Sequence, residues 1–224
     1  AGRGITAPDF DEHQSNGLEM NLEHQNIVVV GLGLSGAAAA RFVKSRGAAV
    51  IATDLAPAHA FGPELTDLRA MGISLELGGH RRESFERADL VVLSPGVSHT
   101  IEPLELARKR GIPIIGEMEL ASRFIRQPVV AVTGTNGKTT TTELLGDMLK
   151  RSGLEVFVGG NIGNPLIEYA AGPQGAEMVV AEISSFQLDT IAEFRPHIGV
   201  LLNITADHLD RYPDFDAYAA SKLR

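Results

Sequence analysis

The sequence predicts an α/β fold with two parallel β-sheets, one in each half of the chain. Short, continuously apolar runs alternate with helix-length segments, which is typical of βαβ units whose sheet is covered on both faces. Two glycine-rich turns, at residues 31–36 and 134–137, each follow an apolar run and open a helical pattern. Two such turns indicate two domains, with a boundary between residues 116 and 127.

The first half, residues 20–116, contains five apolar runs that we interpret as strands. These runs occupy residues 27–30, 49–53, 74–77, 90–93 and 112–115. Helical patterns lie between them, at residues 35–46, 64–71 and 104–110. The first of these helices ends at Gly47, a usual stop signal. This order predicts a Rossmann-like parallel-sheet domain.

The second half, residues 117–224, continues the alternation. A helix is predicted at residues 117–125, and strands at residues 129–132, 156–158, 178–183 and 198–202. Further helices are expected at residues 138–152 and 216–224. The glycine turn at residues 134–137 is followed by Lys-Thr, so we expect an α/β domain of the P-loop NTPase type. The last helical pattern has no stop signal, so we expect this domain to be truncated.

Composition excludes several classes of protein. The chain has 224 residues and a net charge of −8, which disfavours a nucleic-acid-binding surface. It has no cysteine, so disulfides and thiolate metal sites are excluded. No apolar run approaches the ~20 residues of a membrane span. We expect a cytoplasmic monomer with no membrane partner, and interpret residues 1–19 as a tag or flexible extension.

The stretch Ala131-Val-Thr-Gly-Thr-Asn-Gly-Lys-Thr-Thr140 carries the clearest chemistry. Strand, glycine turn, Lys-Thr and helix together predict a phosphate-binding loop. Lys138 would reach the terminal phosphates, and the Thr139 hydroxyl would hold Mg²⁺. The alternative is a glycine turn that only caps a helix. The residues expected to bind ATP are Gly134, Thr135, Asn136, Gly137, Lys138, Thr139 and Thr140.

The first glycine turn, Gly31-Leu-Gly33-Leu-Ser-Gly36, fits the dinucleotide fingerprint. Asp54 follows the next strand, where such a fingerprint places a ribose ligand. The same turn serves any diphosphate, including a UDP-sugar, and tight strand–helix packing without a ligand is a further alternative. Residues Ser94-Pro95-Gly96 follow another strand and could face the same ligand, or form an ordinary turn.

Polar residues also follow strands of the second half. Glu182 ends a buried strand, where a carboxylate is unfavourable unless a cation pairs with it. Asp207 and His208 follow the last strand, and Asn161 lies in a glycine-rich loop after another. We predict a functional role for His208, although a lone histidine is more often structural. No role is assigned to His13, His24, His59, His80, His99 and His197.

From about residue 26 to residue 224, these features together resemble the Mur ligases. The resemblance is carried by residues 31–36, 94–96, 133–139, 160–163, 182–188 and 203–212. It explains why Val132 stands where the common phosphate-loop pattern has a glycine. It also implies that the first domain binds a UDP-sugar rather than NAD.

The resemblance further implies ATP-dependent amide bond formation in peptidoglycan precursor synthesis. A substrate carboxylate attacks the γ-phosphate of ATP, and an amine then attacks the resulting acyl phosphate. The resemblance is strongest to members that join D-glutamate to UDP-N-acetylmuramoyl-L-alanine. ATP and Mg²⁺ at two sites are the implied cofactors.

Residue roles are carried over by motif. The implied catalytic residues are Lys138, Glu182, Asp207, His208 and Lys222. The implied metal ligands are Thr139, Glu182, His208 and Lys222, the last as a carbamate. The implied substrate-binding residues are Leu34, Ser35, Gly36, Asp54, Ser94, Pro95, Gly96, Asn161, Ser184 and His208.

The family also has a C-terminal domain that contacts D-glutamate and closes over ATP, and we expect this chain to lack it. We therefore expect this chain to lack turnover by itself. Three alternatives remain open: a Mur ligase that adds another amino acid, a nucleotide-sugar-binding module without catalysis, and an NAD-dependent oxidoreductase fused to an NTPase.

Overall fold

The computed structural model describes residues 20–224, which divide into two compact units. The first unit comprises residues 20–121 and a return segment at residues 190–192. The second comprises residues 122–189 and 193–224. The first unit gives way to the second between residues 121 and 122. The extension predicted at residues 1–19 lies outside the described residues.

The first unit is built on a five-stranded sheet in which all pairs of strands are parallel. Its strands are β1 (Asn26–Val30), β2 (Ala49–Asp54), β3 (Ser74–Leu77), β4 (Leu90–Leu93) and β5 (Ile114–Gly116). Its helices are α1 (Leu34–Ser45), α2 (Glu64–Ala70), α3 (Arg82–Glu86), α4 (Glu102–Lys109) and α5 (Glu117–Ser122). All five predicted strands and three predicted helices are confirmed within a few residues.

The strands of this unit are apolar because both faces of the sheet are covered. On one face, Val28 and Val30 of β1 pack in a cluster with Phe85 of α3 and Leu104 of α4. All four side chains are at most 1% exposed. Burial of side chains this large is the main favourable contribution to folding.

The order of strands in the first sheet is β3-β2-β1-β4-β5. The chain therefore leaves β1 toward one edge of the sheet and later returns to β4 on the other side of β1. In such sheets, ligands bind where this reversal separates the loops that follow two adjacent strands. Those loops are residues 31–36, after β1, and residues 94–96, after β4.

The second unit contains a four-stranded parallel sheet of order β7-β8-β6-β9. Its strands are β6 (Val129–Thr133), β7 (Val156–Gly160), β8 (Met178–Glu182) and β9 (Ile198–Leu201). Its helices are α6 (Lys138–Arg151), α7 (Leu166–Ala171), α8 (Ser185–Leu188) and α9 (Phe215–Lys222). The predicted fold class is confirmed. Within residues 20–224, no helix is both long and apolar enough to cross a lipid bilayer.

Strand β9 departs from the expectation that every strand is covered on both faces. Ile198 is 45% exposed and Leu201 is 41% exposed. The reason is its position, since β9 pairs with β6 at the edge of the sheet in the described residues. An apolar run in the sequence identifies a strand, but the run does not show where that strand lies in the sheet.

Candidate functional site

The glycine turn after β6 leaves a set of backbone N–H groups without partners in the part of the chain that the structure describes. Gly137 is the N-cap of helix α6 and has a left-handed conformation, with φ of 84°, which glycine adopts at little cost. The first hydrogen bond into the helix is from the N–H of Thr141 to the carbonyl of Gly137. Four consecutive N–H groups therefore have no acceptor within residues 20–224, those of Gly137, Lys138, Thr139 and Thr140. Such a group at a helix N-terminus is a binding site for phosphate.

The side chain of Lys138 lies at this turn. Its Nζ donates to the carbonyl oxygen of Thr135 at 2.8 Å, so the ammonium group stays close to the backbone of the turn. A cation in this place complements the negative charge of a bound phosphate.

Glu182, at the end of β8, lies beside the same turn. Its side chain is 2% exposed. One carboxylate oxygen accepts a hydrogen bond from the Thr139 hydroxyl at 2.7 Å, and the other accepts from Asn161 Nδ2 at 2.8 Å. The structure thus brings three of the predicted site residues into direct contact.

A magnesium ion fits this arrangement. Glu182 is buried and makes no ion pair with a cationic side chain in the described part of the chain. A buried carboxylate is unfavourable without a positive partner. Carboxylate and hydroxyl oxygens are ligands that Mg²⁺ prefers, usually together with substrate phosphates and water. Residues 20–224 contain no group of three or more His, Asp or Glu side chains arranged to hold a metal by themselves.

Lys222, on helix α9, is buried, with 6% of its surface exposed. Its Nζ donates to Thr133 Oγ1 at 3.4 Å and lies 5.1 Å from the centre of the Tyr218 ring. Burial, and to a smaller extent the positive charge of Lys138, lower the pKa of Lys222 to about 8, although Asp207 and Asp189 oppose the shift.

Asp207 and His208 lie in the loop after β9. His208 Nε2 is 3.7 Å from Asp207 Oδ2, and each side chain is nearly half exposed. The His208 backbone is in the left-handed region, with φ of 53°, and its ring lies 4.9 Å from that of Phe186. The imidazole of His208 thus lies beside an acid and two aromatic rings and is accessible from solvent.

Ser184 forms the N-cap of helix α8. Its hydroxyl oxygen accepts from the backbone N–H of Gln187 at 3.3 Å, while the Gln187 side chain accepts from the Ser184 N–H at 2.9 Å. This capping box accounts for Ser184 structurally. Its predicted contact with substrate stays a prediction.

The glycine turn of the first unit is held by close contacts. A Cβ atom on Gly36 would lie 1.7 Å from the carbonyl oxygen of Gly31 and 2.4 Å from Ser94 Oγ. The Ser94 hydroxyl itself donates to the Gly31 carbonyl at 2.8 Å. The two predicted loops, after β1 and after β4, are therefore in contact. By contrast, a Cβ on Gly33 or Gly96 would have no neighbour within 4 Å, which leaves open space beside both.

Asp54 fixes the shape of the same turn. One of its carboxylate oxygens accepts from the Leu32 N–H at 2.6 Å, and the other accepts from the Ala56 N–H at 2.8 Å. A carboxylate has about four lone-pair positions, so these bonds leave capacity for a ligand. Leu34 is 63% exposed at the start of α1, and Ser35 follows it.

Some side chains at these sites were not predicted from the sequence. Thr135 Oγ1 lies 2.9 Å from the Tyr218 hydroxyl, and this contact links the glycine turn after β6 to α9. The spacing of four residues between Tyr218 and Lys222 was an available signal, since it places both on one helix face. In the first unit, His80 Nδ1 lies 2.9 Å from Thr53 Oγ1, and burial lowers the pKa of His80. No signal in the sequence indicated that pair.

Two family models match consecutive parts of the chain. The model described as the MurD-like N-terminal domain of Mur ligases matches residues 25–116. The model described as the Mur ligase middle domain matches residues 132–224. Together they span the two glycine turns and all of the predicted site residues.

Among curated proteins, the chain is similar to ligases from several bacteria. It is 56% identical over 205 residues to the UDP-N-acetylmuramoylalanine–D-glutamate ligase of Desulfatibacillum aliphaticivorans. It is 58% identical over 202 residues to the protein of the same name from Desulfosudis oleivorans. These matches cover 92% and 90% of this chain but 46% and 44% of the relatives. The chain therefore spans about half the length of the curated relatives it matches.

Two solved structures are similar in fold. The UDP-N-acetylmuramate-alanine ligase MurC of Thermotoga maritima matches with a TM-score of 0.52 and 26% identity, over 88% of this chain and 46% of that one. A UDP-N-acetylmuramate:L-alanyl-γ-D-glutamyl-meso-diaminopimelate ligase from Neisseria meningitides matches with a TM-score of 0.54 and 24% identity, over 88% of this chain and 66% of that one. The second likeness concerns the fold alone.

Proposed function

This chain belongs to the Mur ligase family, and from that premise we propose that it provides the two nucleotide-binding units of an ATP-dependent ligase. The ligase joins D-glutamate to UDP-N-acetylmuramoyl-L-alanine in peptidoglycan precursor synthesis. The first unit binds the UDP-sugar, and the second binds ATP with Mg²⁺. The D-glutamate specificity is supported by the names of the relatives.

One observation carries the ATP assignment: the four unpaired N–H groups that open α6 lie beside the contact between Thr139 and Glu182. The N–H groups and Lys138 bind the phosphates of ATP and lower their negative charge. Thr139 and Glu182 hold Mg²⁺, which supplies further charge neutralisation at the phosphoryl group. Phosphoryl transfer depends on positioning and charge stabilisation more than on acid–base groups, and this arrangement provides both.

The reaction then has two steps. The carboxylate of UDP-N-acetylmuramoyl-L-alanine attacks the γ-phosphorus of ATP, and the bond to the bridging oxygen breaks, which gives an acyl phosphate and ADP. The amine of D-glutamate attacks the acyl carbon, and inorganic phosphate leaves as the amide forms. The amine loses a proton in this second step.

Residues after β9 provide the remaining side chains of the proposed ATP and metal site. His208, supported by Asp207, would help to hold a second Mg²⁺ beside the substrate carboxylate. The burial of Lys222 supports the carbamate role, because its ammonium group makes no ion pair with an acidic side chain in residues 20–224. A carbamate would replace this unpaired cation with an anionic metal ligand.

The UDP-sugar site is proposed at the reversal of strand order in the first sheet. The contact between Gly36, Gly31 and Ser94 builds a tight turn, in which the backbone would lie close to a bound ligand. The exposed Leu34, with Ser35 and Asp54, borders this turn, and the open space beside Gly33 leaves room for a diphosphate. In the second unit, Asn161 is proposed to contact the muramoyl-alanine portion.

The proposal is tested by mapping two ligands on the amide NMR spectrum of this chain. UDP-N-acetylmuramoyl-L-alanine should shift the amides of residues 31–36, 54, 94 and 96. MgATP should shift those of residues 134–140 and leave the first set unchanged. Shifts of the first set with NAD but not with the UDP ligand would contradict the assignment and favour the oxidoreductase alternative. No shift of residues 134–140 with MgATP would contradict the ATP assignment.

A further inference from the structure

We infer that Asn203 is a positioning residue. It holds the glycine turn after β6, residues 134–137, at a fixed distance from the segment that carries Asp207 and His208. The inference rests on the proposed function, since it names a residue that prepares the ATP site for catalysis. Asn203 follows β9 and lies 67 positions after its hydrogen-bond partner, Asn136, in the sequence.

The contact between Asn203 and the turn is reciprocal. The backbone N–H of Asn136 donates to Asn203 Oδ1 at 3.0 Å. In return, Asn203 Nδ2 donates to the backbone carbonyl of Asn136, also at 3.0 Å. One amide side chain thus binds both polar groups of a single backbone residue, much as a neighbouring strand would.

The backbone near Asn203 extends this contact along the turn. The N–H of Thr135 donates to the carbonyl of Asn203 at 3.0 Å. Two residues later, the N–H of Thr205 donates to Thr135 Oγ1 at 3.0 Å, and that hydroxyl donates to the Thr205 carbonyl at 3.2 Å. A Cβ on Gly134 would lie 3.4 Å from backbone atoms of Asn203. Hydrogen bonds therefore join residues 135 and 136 of the turn to residues 203 and 205.

These bonds decide which N–H groups remain for phosphate. The segment after β9 accepts from the N–H groups of Thr135 and Asn136, which are therefore engaged. The unpaired N–H groups begin at the next residue, Gly137. Asn203 thus separates the part of the turn that is anchored from the part that binds the ligand.

The same bonds relate the phosphates to the proposed second metal site. Asp207 and His208 follow Asn203 by four and five residues in the same loop. A fixed distance between this loop and the turn keeps His208 close to the phosphoryl group during transfer. Small displacements of such groups lower rates strongly.

The solvent exposure of the Asn203 hydrogen bonds favours a positioning role for this residue over a role in stability. The hydrogen bonds of Asn203 to Asn136 are solvent-exposed, and such bonds contribute little to the free energy of unfolding. A residue kept only for stability would show its effect in the melting temperature. A positioning residue would show it in ligand affinity.

The test compares three variants of this chain: Asn203→Ala, Asn203→Leu and Asn26→Ala. Leucine keeps the approximate volume of asparagine but makes no hydrogen bond. Asn26 is the matched control, since its Nδ2 also makes one side-chain hydrogen bond, at 3.1 Å to Asp89, but in the first unit. The measurements are the MgATP dissociation constant by calorimetry, the exchange rate of the Asn136 amide by NMR, and the melting temperature.

Both Asn203 variants should weaken MgATP binding about tenfold, the equivalent of one or two lost hydrogen bonds. The Asn136 amide should exchange at least about tenfold faster, and the melting temperature should match that of Asn26→Ala. Unchanged affinity would overturn the inference, whether or not amide exchange changes. A loss of affinity with unchanged Asn136 exchange, or with a large drop in melting temperature, would also overturn it.

This test separates the inference from the proposed function. If the unsubstituted chain does not bind MgATP, the ATP assignment fails. The hydrogen bonds of Asn203 are then judged by amide exchange, and unchanged exchange in Asn203→Ala would refute them as well.

Discussion

The carboxylate of Glu182 and the hydroxyl of Thr139 lie 2.7 Å apart at the carboxyl edge of the second sheet. Glu182 ends strand β8, and Thr139 is the second residue of helix α6. A buried acid is thereby placed at the positive end of a helix, next to the four N–H groups that have no acceptor within residues 20–224. This is a suitable environment for a nucleotide with its magnesium ion.

Substitution of Glu182 by Gln should weaken binding of MgATP by about tenfold or more, because a neutral amide attracts Mg²⁺ far less than a carboxylate does. Binding of ATP in the presence of EDTA should change little, since the carboxylate acts through the metal. Calorimetry with and without Mg²⁺ measures both effects. Glu168→Gln, at an exposed position on α7, is the control. Equal loss of affinity with and without Mg²⁺ would contradict the proposed metal role.

Substitution of Gly36 by Ala should destabilise the first unit by about 3 kcal/mol or more, because the new Cβ would collide with the carbonyl of Gly31. Gly33→Ala is the matched control. Its Cβ meets no atom within 4 Å, and an alanine at this N-cap position should cost about 1 kcal/mol or less. Chemical denaturation followed by NMR signals of the first unit compares the two. Similar losses for both variants would show that the close packing of Gly36 is not what holds the turn.

Tyr212 supplies a pH-dependent contribution to the stability of the second unit. Its hydroxyl donates to Asp189 Oδ2 at 2.6 Å, and burial together with this bond raises the pKa of Tyr212 to about 12. Because the folded-state pKa lies above the unfolded value of about 10, the contribution is fully present below pH 10. It is lost as the pH rises toward 12.

Tyr212→Phe should therefore lower the free energy of unfolding by about 1–2 kcal/mol at pH 7, where the bond to Asp189 is lost. The difference from the unsubstituted chain should shrink between pH 10 and pH 12. Urea denaturation at pH 7, 9 and 11 provides the comparison. A constant difference over that range would mean that folding does not raise the pKa of Tyr212.

The predictable parts of this structure depend on local sequence, and the others depend on contacts between distant residues. Gly36 and Gly137 were identifiable because a glycine turn between an apolar run and a helix has a strong local pattern. Helices α3, α7 and α8 were not predicted, since five, six and four residues are too short to show a helical period. The contact of Asn203 with Asn136 joins residues 67 positions apart, and no spacing rule reveals it.

Asp54 has one predicted feature that depends on local sequence and one observed feature that depends on distant contacts. Its position after β2 predicted a ligand contact, and that contact stays a prediction. Its hydrogen bonds to the N–H groups of Leu32 and Ala56 depend on how the turn after β1 closes over the end of β2. The sequence pattern is the same whether the carboxylate of Asp54 hydrogen-bonds the backbone of the turn or contacts a ribose.

The central claim is that the first unit binds a UDP-sugar at the turn of residues 31–36. Calorimetric titration of this chain with UDP-N-acetylmuramoyl-L-alanine tests it most directly, with UDP-N-acetylmuramic acid and NAD as comparison ligands. We predict saturable binding of both UDP ligands and none of NAD. Binding of NAD, with no binding of either UDP ligand to a folded sample, would contradict the claim.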